Sequence, residues 1–255
     1  MVAIVNSCLQ KFRRNLYSQN GEDGVVAELL KRLGITNGWF CEFGAWDGRY
    51  GSNCYALLLR KKWSGVMIEG VPARFKLLQR LATKFDGRLH AVETFVSHDD
   101  GSSETLDRVL ARTPIPGDFE LLNIDIDGYD YQVWSSLQRY RPTIVIIEIN
   151  SSIPPGPECV HGERGQQGTT FSAMLKLGAG KGYRLVAHTG NMIFVRDEQV
   201  GKLGLSPAEF ERPEKLFVTE WINPTRLQEF RRKMKGMTPQ RALVKIQNIL
   251  RSDHK

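Results

Sequence analysis

The chain has 255 residues, of which 41% are hydrophobic and 25% are charged, and its net charge is +7. This composition is ordinary for one large soluble domain, or for one domain with an appended piece. No apolar run approaches the roughly 18 residues that a membrane-spanning helix needs. The apolar start of the chain precedes its first basic residues, which is the reverse of a secretory signal, so we expect a cytoplasmic protein.

The four cysteines are scattered and form no C-x-x-C pair. Their spacing argues against a zinc site and against a disulfide framework. A basic protein can bind nucleic acid, an anionic membrane or anionic substrates. The sequence has no RNA-binding signature, zinc-finger spacing or basic stripe interleaved with aromatic residues. We therefore expect no nucleic-acid partner.

The first helix is predicted to begin near Ser18 or Asn20, either of which could cap it. Glu22 and Asp23 suit the positive end of that helix. Two interpretations of this acid pair stay open, namely capping and a role at the mouth of a site. Residues 1–37 are interpreted as an N-terminal helical cap.

The stretch from Trp39 to Gly48 predicts a buried strand that leads into a glycine turn. Strand, glycine turn and helix is how an open α/β sheet builds a nucleotide site. A dinucleotide site requires G-x-G-x-x-G, whereas this turn has only Gly44 and Gly48, and Glu42 and Asp47 would repel a pyrophosphate. S-Adenosylmethionine, with an ammonium, a sulfonium and no phosphate, fits this turn better. An ordinary strand-to-helix turn is the alternative.

Strands and helices alternate along the next hundred residues. Further strands are predicted at residues 63–70, 89–96, 119–128 and 143–150, and helices at residues 54–60, 72–85, 102–112, 129–140 and 171–181. This alternation predicts a parallel sheet with right-handed crossovers. Residues 183–188 and 191–196 form a predicted hairpin across Thr189-Gly190.

Four predicted strands end in carboxylates. These acids are Glu42 and Asp47, Glu69, Asp125 and Asp127, and Glu148. The carboxyl ends of the strands line the ligand crevice in an open α/β sheet. Glu69 follows the glycine turn by about 20 residues, which is where a doubly wound fold places the acid that binds the ribose hydroxyls.

The composition changes from Ser206 onward. Prolines divide this segment into short predicted helices, residues 226–235 are strongly basic, and the last helix carries an apolar stripe. We interpret residues 201–255 as a basic helical C-terminal extension. It could pack on the domain, pack on a second subunit in a homo-oligomer, or make a peripheral contact with an anionic membrane.

Several motifs, in order, resemble the FkbM-type methyltransferases, a family of class I S-adenosylmethionine-dependent enzymes. The motifs are Ser18-Gln-Asn-Gly-Glu-Asp23, Phe40-Cys-Glu-Phe-Gly-Ala-Trp-Asp-Gly48, Ser52-Asn53, Trp63-Ser-Gly-Val-Met-Ile-Glu69, Leu122-Asn-Ile-Asp-Ile-Asp-Gly-Tyr-Asp-Tyr131 and Arg141-Pro-Thr-Ile-Val-Ile-Ile-Glu-Ile-Asn150. The resemblance covers roughly residues 17–197, and residues 1–200 are interpreted as the methyltransferase domain. It implies a Rossmann-like, doubly wound α/β fold with a seven-stranded sheet, mostly parallel, that ends in an antiparallel hairpin.

The resemblance also implies where the cofactor and a metal would bind. The implied cofactor residues are Glu42, Gly44, Asp47, Gly48, Ser52, Asn53, Glu69 and Asp125. Some O-methyltransferases of this class hold Mg²⁺ with carboxylates at the tips of strands four and five, which implies Asp125, Asp127, Glu148 and Asn150 as ligands. Alternatively, these acids bind substrate hydroxyls or cap turns. Without a metal, His161 and Asp127 are the candidate bases.

The implied activity is methylation of a hydroxyl on a saccharide, glycolipid or related small metabolite. Two other classes of function stay open. A nicotinamide-dependent oxidoreductase could use a similar sheet, although the missing third glycine and the acid in the turn argue against it. A non-catalytic binding protein could also retain this fold.

Overall fold

The computed structural model describes residues 8–60, 62–206 and 208–222. Contacts divide the chain into one unit at Met1–Val218 and another at Thr219–Lys255. The described residues of the second unit include a 3₁₀ turn at Thr219–Trp221. The predicted basic stretch at 226–235 and the last amphipathic helix lie outside the described residues. Their proposed membrane and subunit contacts, and the predicted domain boundary near residue 200, stay predictions.

Seven strands form a single sheet. They are β1 (Gly38–Phe43), β2 (Trp63–Glu69), β3 (Leu89–Glu93), β4 (Leu121–Ile124), β5 (Ile144–Glu148), β6 (Tyr183–His188) and β7 (Asn191–Arg196). Their order is β3-β2-β1-β4-β5-β7-β6. Strands β1 to β5 pair in parallel, and β7 is antiparallel to both β5 and β6. The predicted fold, a mostly parallel, doubly wound seven-stranded sheet with a C-terminal antiparallel hairpin, is confirmed.

The helices follow the strands as the alternation predicts, but several are shorter. They are α1 (Glu22–Leu33), α2 (Tyr55–Leu58), α3 (Pro72–Ala82), α4 (Leu106–Leu110), α5 (Asp130–Ser136), α6 (Phe171–Gly180), α7 (Asp197–Val200) and α8 (Ala208–Glu211). Strand β4 also ends four residues earlier than predicted. The reason is that the residues after Ile124 leave the sheet and turn, and Asp127 among them has a φ of +57°.

Helix α1 begins later than its predicted capping residues imply. Its N-cap is Gly21, with a φ of +101° and no side-chain cap. Ser18 Oγ instead accepts a hydrogen bond from the Asp23 amide, at 3.1 Å. Asp23 Oδ2 accepts from the amides of Leu16, Tyr17 and Ser18 at 2.7–2.8 Å. The acid therefore fixes the segment before the helix as well as the helix start.

The centre of the sheet is apolar and covered on both faces. Residues 144–147 of β5 are all buried, as expected for an inner strand of a parallel sheet. All four cysteines are free thiols, and Cys41 is buried in β1 as a core residue. In the part of the chain that is described, no helix has the length and apolarity to cross a membrane.

Strands β1 and β4 are neighbours at the place where the strand order reverses. In open α/β sheets, ligands bind in the crevice outside the carboxyl ends of the strands at this point. The topology therefore directs attention to the residues that follow β1, β4 and their neighbours.

Candidate functional site

The turn after β1 lies against the tip of β4. Gly44 has a φ of +76°, and a β carbon built on it would lie 1.8 Å from the backbone oxygen of Asp125. A side chain at this position would strain the backbone and collide with the neighbouring strand tip. Only glycine allows the two tips to approach each other so closely, while Gly44 itself stays exposed.

Glu42 is buried and fully hydrogen-bonded within the protein. Its Oε2 accepts from the Ser52 hydroxyl at 2.5 Å, and its Oε1 accepts from the Asn53 amide at 2.9 Å and from Asn123 Nδ2 at 3.0 Å. Asn53 Nδ2 also donates to Asn123 Oδ1 at 2.9 Å. Burial raises the pKa of Glu42 to about 7; the hydrogen bonds from Ser52 and Asn53 oppose this rise, and the charges of Asp125 and Asp23 add to it. Glu42 thus holds the turn that leads into α2.

Glu69, at the tip of β2, holds the same turn from the other side. Its Oε2 accepts from the Trp46 amide at 2.9 Å, and its Oε1 accepts from the Val71 amide at 2.7 Å. The guanidinium of Arg74 lies over the Trp46 ring, 4.4 Å from its centroid. Gly48 is buried against α3 and against a methionine of β2. Because glycine has no side chain, these elements can pack closely against the turn.

The turn after β4 is organised by the buried Asp130. Its Oδ1 accepts from the Ile126 amide and its Oδ2 from the Gly128 amide, both at 3.0 Å. Between them, the backbone of Asp127 adopts the left-handed conformation, which residues other than glycine rarely adopt. Burial raises the pKa of Asp130 to about 7, with a further contribution from the charge of Asp125. We call the two hydrogen bonds that Asp130 accepts the Asp130 clamp. The clamp leaves Asp127 exposed to solvent at the strand tip.

Three carboxylates meet at the tips of β4 and β5. One oxygen each from Asp125, Asp127 and Glu148 lies within 4.8 Å of the others. Glu148 Oε2 also accepts from the Asp127 amide, at 3.0 Å. The fourth predicted ligand, Asn150, uses its side-chain amide to donate to the Gln167 carbonyl at 2.7 Å, which secures the loop after β5. The cluster has the oxygen chemistry that a hard cation such as Mg²⁺ requires.

His161, on the long loop after β5, lies beside this cluster. The His161 ring packs against Gly128, where an added β carbon would lie 3.0 Å from His161 Nε2. Its Nδ1 accepts from the Gly168 amide at 3.0 Å, so the neutral ring carries its proton on Nε2. The Tyr129 ring, nearly half exposed, contacts the His161 ring at 4.8 Å and stacks on His98 at 5.1 Å. These ring contacts join the loops that follow β3, β4 and β5, which we call the rim of the site.

The predicted cofactor residues divide into two groups in the structure. Gly44, Asp47 and Asp125 are open to solvent at least in part, whereas Glu42, Gly48, Ser52, Asn53 and Glu69 are buried and support the turn. Direct contact between each of these residues and the cofactor stays a prediction.

Two supporting residues were not identified from the sequence. Asn123 stands in the otherwise apolar strand β4, and that polar interruption was the available signal. Asp130 lies shortly after Asp125 and Asp127 in the sequence, but nothing in the local sequence indicates that its side chain holds the turn.

S-Adenosylmethionine suits this edge of the sheet on chemical grounds. The groups at the strand tips are carboxylates, which attract an ammonium and a sulfonium and repel a phosphate. Asp23, buried near Glu42, adds to this negative charge, and its Oδ1 has no hydrogen-bond partner among the described residues. The residues present therefore fit a cationic nucleoside better than a dinucleotide.

Comparison with known proteins gives one family match and several similar folds. Residues 96–185 match the family model described as the methyltransferase FkbM domain. No curated protein sequence matches the chain.

Similar solved structures include the S-adenosylhomocysteine-bound methyltransferase PaMTH1 of Podospora anserina, with 15% identity, a TM-score of 0.46, and coverage of 70% of this chain and 79% of that chain. The CurJ carbon methyltransferase has 10% identity and a TM-score of 0.47, over 71% of this chain and 56% of that chain. The magnesium protoporphyrin IX methyltransferase ChlM of Synechocystis PCC 6803, with bound S-adenosylmethionine, has 14% identity and a TM-score of 0.42, over 74% of this chain and 84% of that chain.

The family match includes β4, β5 and the acids at their tips, and it confirms the resemblance carried by the sequence motifs. The part of the chain that carries these strand tips is therefore similar to the FkbM methyltransferase domain.

Proposed function

We propose that the protein transfers the methyl group of S-adenosylmethionine to a hydroxyl group of a saccharide, glycolipid or related metabolite. The observation that supports this proposal is the carboxylate cluster of Asp125, Asp127 and Glu148 beside the cofactor turn. A hydroxyl is a poor nucleophile until its proton is removed, and a rim of carboxylates supplies the means to remove it.

In the reaction, the acceptor oxygen forms a bond to the methyl carbon while the carbon–sulfur bond breaks. The products are a methyl ether and S-adenosylhomocysteine, and the hydroxyl proton passes to a base. The main task of the chain is to align the oxygen with the sulfonium methyl group and to receive this proton.

We assign Asp127 as the base that receives the hydroxyl proton. It is exposed, and the clamp made by Asp130 fixes its backbone at the strand tip. His161 suits a different role, because its Nδ1 accepts from a backbone amide and its Nε2 carries the proton. That nitrogen can donate a hydrogen bond to an acceptor oxygen but has no lone pair available for a proton.

The same cluster fits Mg²⁺, which Asp125, Asp127 and Glu148 would hold. When bound there, the ion would lower the pKa of the acceptor hydroxyl as a Lewis acid. Whether the carboxylates act through a metal or directly is decided by assaying turnover with added Mg²⁺ and with a chelator.

A methyl-donor assay tests the proposal. The purified protein is incubated with methyl-labelled S-adenosylmethionine and a panel of methyl glycosides and glycolipids, and the product is examined for an O-methyl group by NMR. We expect Asp127→Asn to reduce turnover about 100-fold, the size of a general-base contribution, while S-adenosylhomocysteine binding stays within about threefold. Asp118→Asn, at an exposed aspartate outside the rim, is the matched control. A carbon-methylated product, or full turnover in Asp127→Asn, would contradict the proposal.

A further inference from the structure

We propose that Arg49 binds the carboxylate at the methionine end of the cofactor, on a platform formed by Tyr17 and Tyr55. The inference rests on the proposed function, because it requires S-adenosylmethionine as the donor. It adds the N-terminal segment and Arg49 to the site.

The backbone at Arg49 is fixed by the acid of the glycine turn. Asp47 Oδ1 accepts from the amides of Arg49 and Tyr50 at 2.9 and 2.7 Å. The Arg49 side chain leaves this turn and is exposed to solvent. Its guanidinium carbon lies 5.8 Å from the Tyr17 ring centroid and 5.9 Å from that of Tyr55. Cation–π attraction to two rings restricts where the guanidinium can go.

The two rings are themselves held in place. They meet edge to face, with centroids 4.6 Å apart. The Tyr17 amide donates to Asp23 Oδ2 at 2.7 Å, and the Tyr55 amide donates to Ser52 Oγ at 2.9 Å. Since Ser52 Oγ also donates to Glu42, the platform is linked directly to the tip of β1. Asp23 acts here as a positioning residue.

Charge explains why a cation is needed at this place. The amino-acid end of S-adenosylmethionine carries an ammonium and a carboxylate. The acids at the strand tips attract the ammonium and repel the carboxylate, so the carboxylate requires a positive group of its own. An arginine fork can bind a carboxylate through two parallel hydrogen bonds.

Arg49 is available for this task, whereas Arg74 lies on another side of the turn and Arg13 donates a hydrogen bond to the backbone. In the part of the chain that is described, its guanidinium makes contacts with the two tyrosine rings and forms no hydrogen bond or ion pair. Arg74 lies over the Trp46 ring, on the side of the turn held by Glu69. Arg13 Nε donates to the Asn20 carbonyl at 2.9 Å.

Two ligands that differ only in the carboxylate test the proposal. Calorimetric titration of S-adenosylmethionine and of its decarboxylated form is carried out on wild type, Arg49→Met and Arg49→Lys. We expect Arg49→Met to weaken binding of S-adenosylmethionine about 10- to 100-fold, the size of a hydrogen bond to a charged group, and to leave the decarboxylated ligand unchanged. Arg49→Lys should recover part of the loss. Arg80→Met, at an exposed arginine of α3, is the matched control.

The platform is tested in the same way. Tyr17→Leu should weaken binding of S-adenosylmethionine several-fold and spare the decarboxylated ligand, and Tyr17→Phe, which retains the ring, should restore it. Equal weakening of both ligands in Arg49→Met, or no weakening of either, would overturn the proposal. Failure of the wild type to bind either ligand would instead overturn the proposed function.

Discussion

Replacing Glu42 by glutamine should change how stability depends on pH. Glu42 is 3% exposed, and burial raises its pKa from 4.5 to about 7 in the folded protein. Between these two values the folded protein binds a proton that the unfolded chain does not bind, so stability decreases as pH rises through this window. From pH 5 to pH 8, the two pKa values predict that Glu42 reduces the free energy of unfolding by about 2 to 3 kcal/mol.

Glutamine cannot ionise, so Glu42→Gln removes this contribution while its amide oxygen can still accept hydrogen bonds at Oε1. Urea unfolding, followed by tryptophan fluorescence at pH 5, 6, 7 and 8, gives the free energy of unfolding for both proteins. We expect the variant to gain about 2 to 3 kcal/mol relative to wild type on going from pH 5 to pH 8. Glu93→Gln, at an exposed glutamate of β3, should show no such gain.

A pH-independent difference between Glu42→Gln and wild type would refute the reasoning. It would mean that the three donors at Ser52, Asn53 and Asn123 hold the carboxylate ionised as well as water does. Burial would then not decide its protonation, and Glu42 would be mostly ionised already at pH 5.

Three further predictions concern separate parts of the molecule. Glu69→Ala should weaken binding of S-adenosylhomocysteine far more than Glu148→Ala, which should mainly reduce turnover; equal losses of affinity in calorimetry would contradict these assignments. Gly44→Ala should reduce the melting temperature and abolish cofactor binding, because its β carbon would lie 1.8 Å from the Asp125 backbone oxygen; a stable variant that binds normally would show that the strand tips can separate. Burial lowers the pKa of His188 to about 3, so stability should fall as pH drops below 6.5, by about 2 kcal/mol at pH 5, and His188→Gln should unfold in urea without that loss.

The strand tips show how much of the site could be predicted from local sequence. The sequence predicts Glu69 and Asp125 at the carboxyl edge, because apolar strands end there and parallel strands share that edge. The sequence motifs also predicted the cluster of Asp125, Asp127 and Glu148 as candidate metal ligands, and the structure brings these carboxylates together. The identity of the acceptor has no comparable local signal.

What a carboxylate does at that edge could not be predicted in the same way. The sequence predicts both Glu42 and Glu69 at the cofactor. In the structure both are buried, and their oxygens accept hydrogen bonds from backbone amides or side chains of the turn. An acid after a strand looks the same in sequence whether it faces a ligand or supports a loop. The difference depends on the distance to groups that are far away in the chain, such as Asn123.

The sequence by itself determined the α/β alternation, the terminal hairpin and the edge of the sheet where the polar groups gather. Those properties follow from hydrophobic periodicity, turn residues and handed connections, which are local. Only the tertiary structure decided that Asp130 clamps the turn that presents Asp127, that His161 carries its proton on Nε2, and that Arg49 lies on two tyrosine rings. Each of these depends on pairs of residues that folding brings together, and burial then sets their charge and hydrogen bonding.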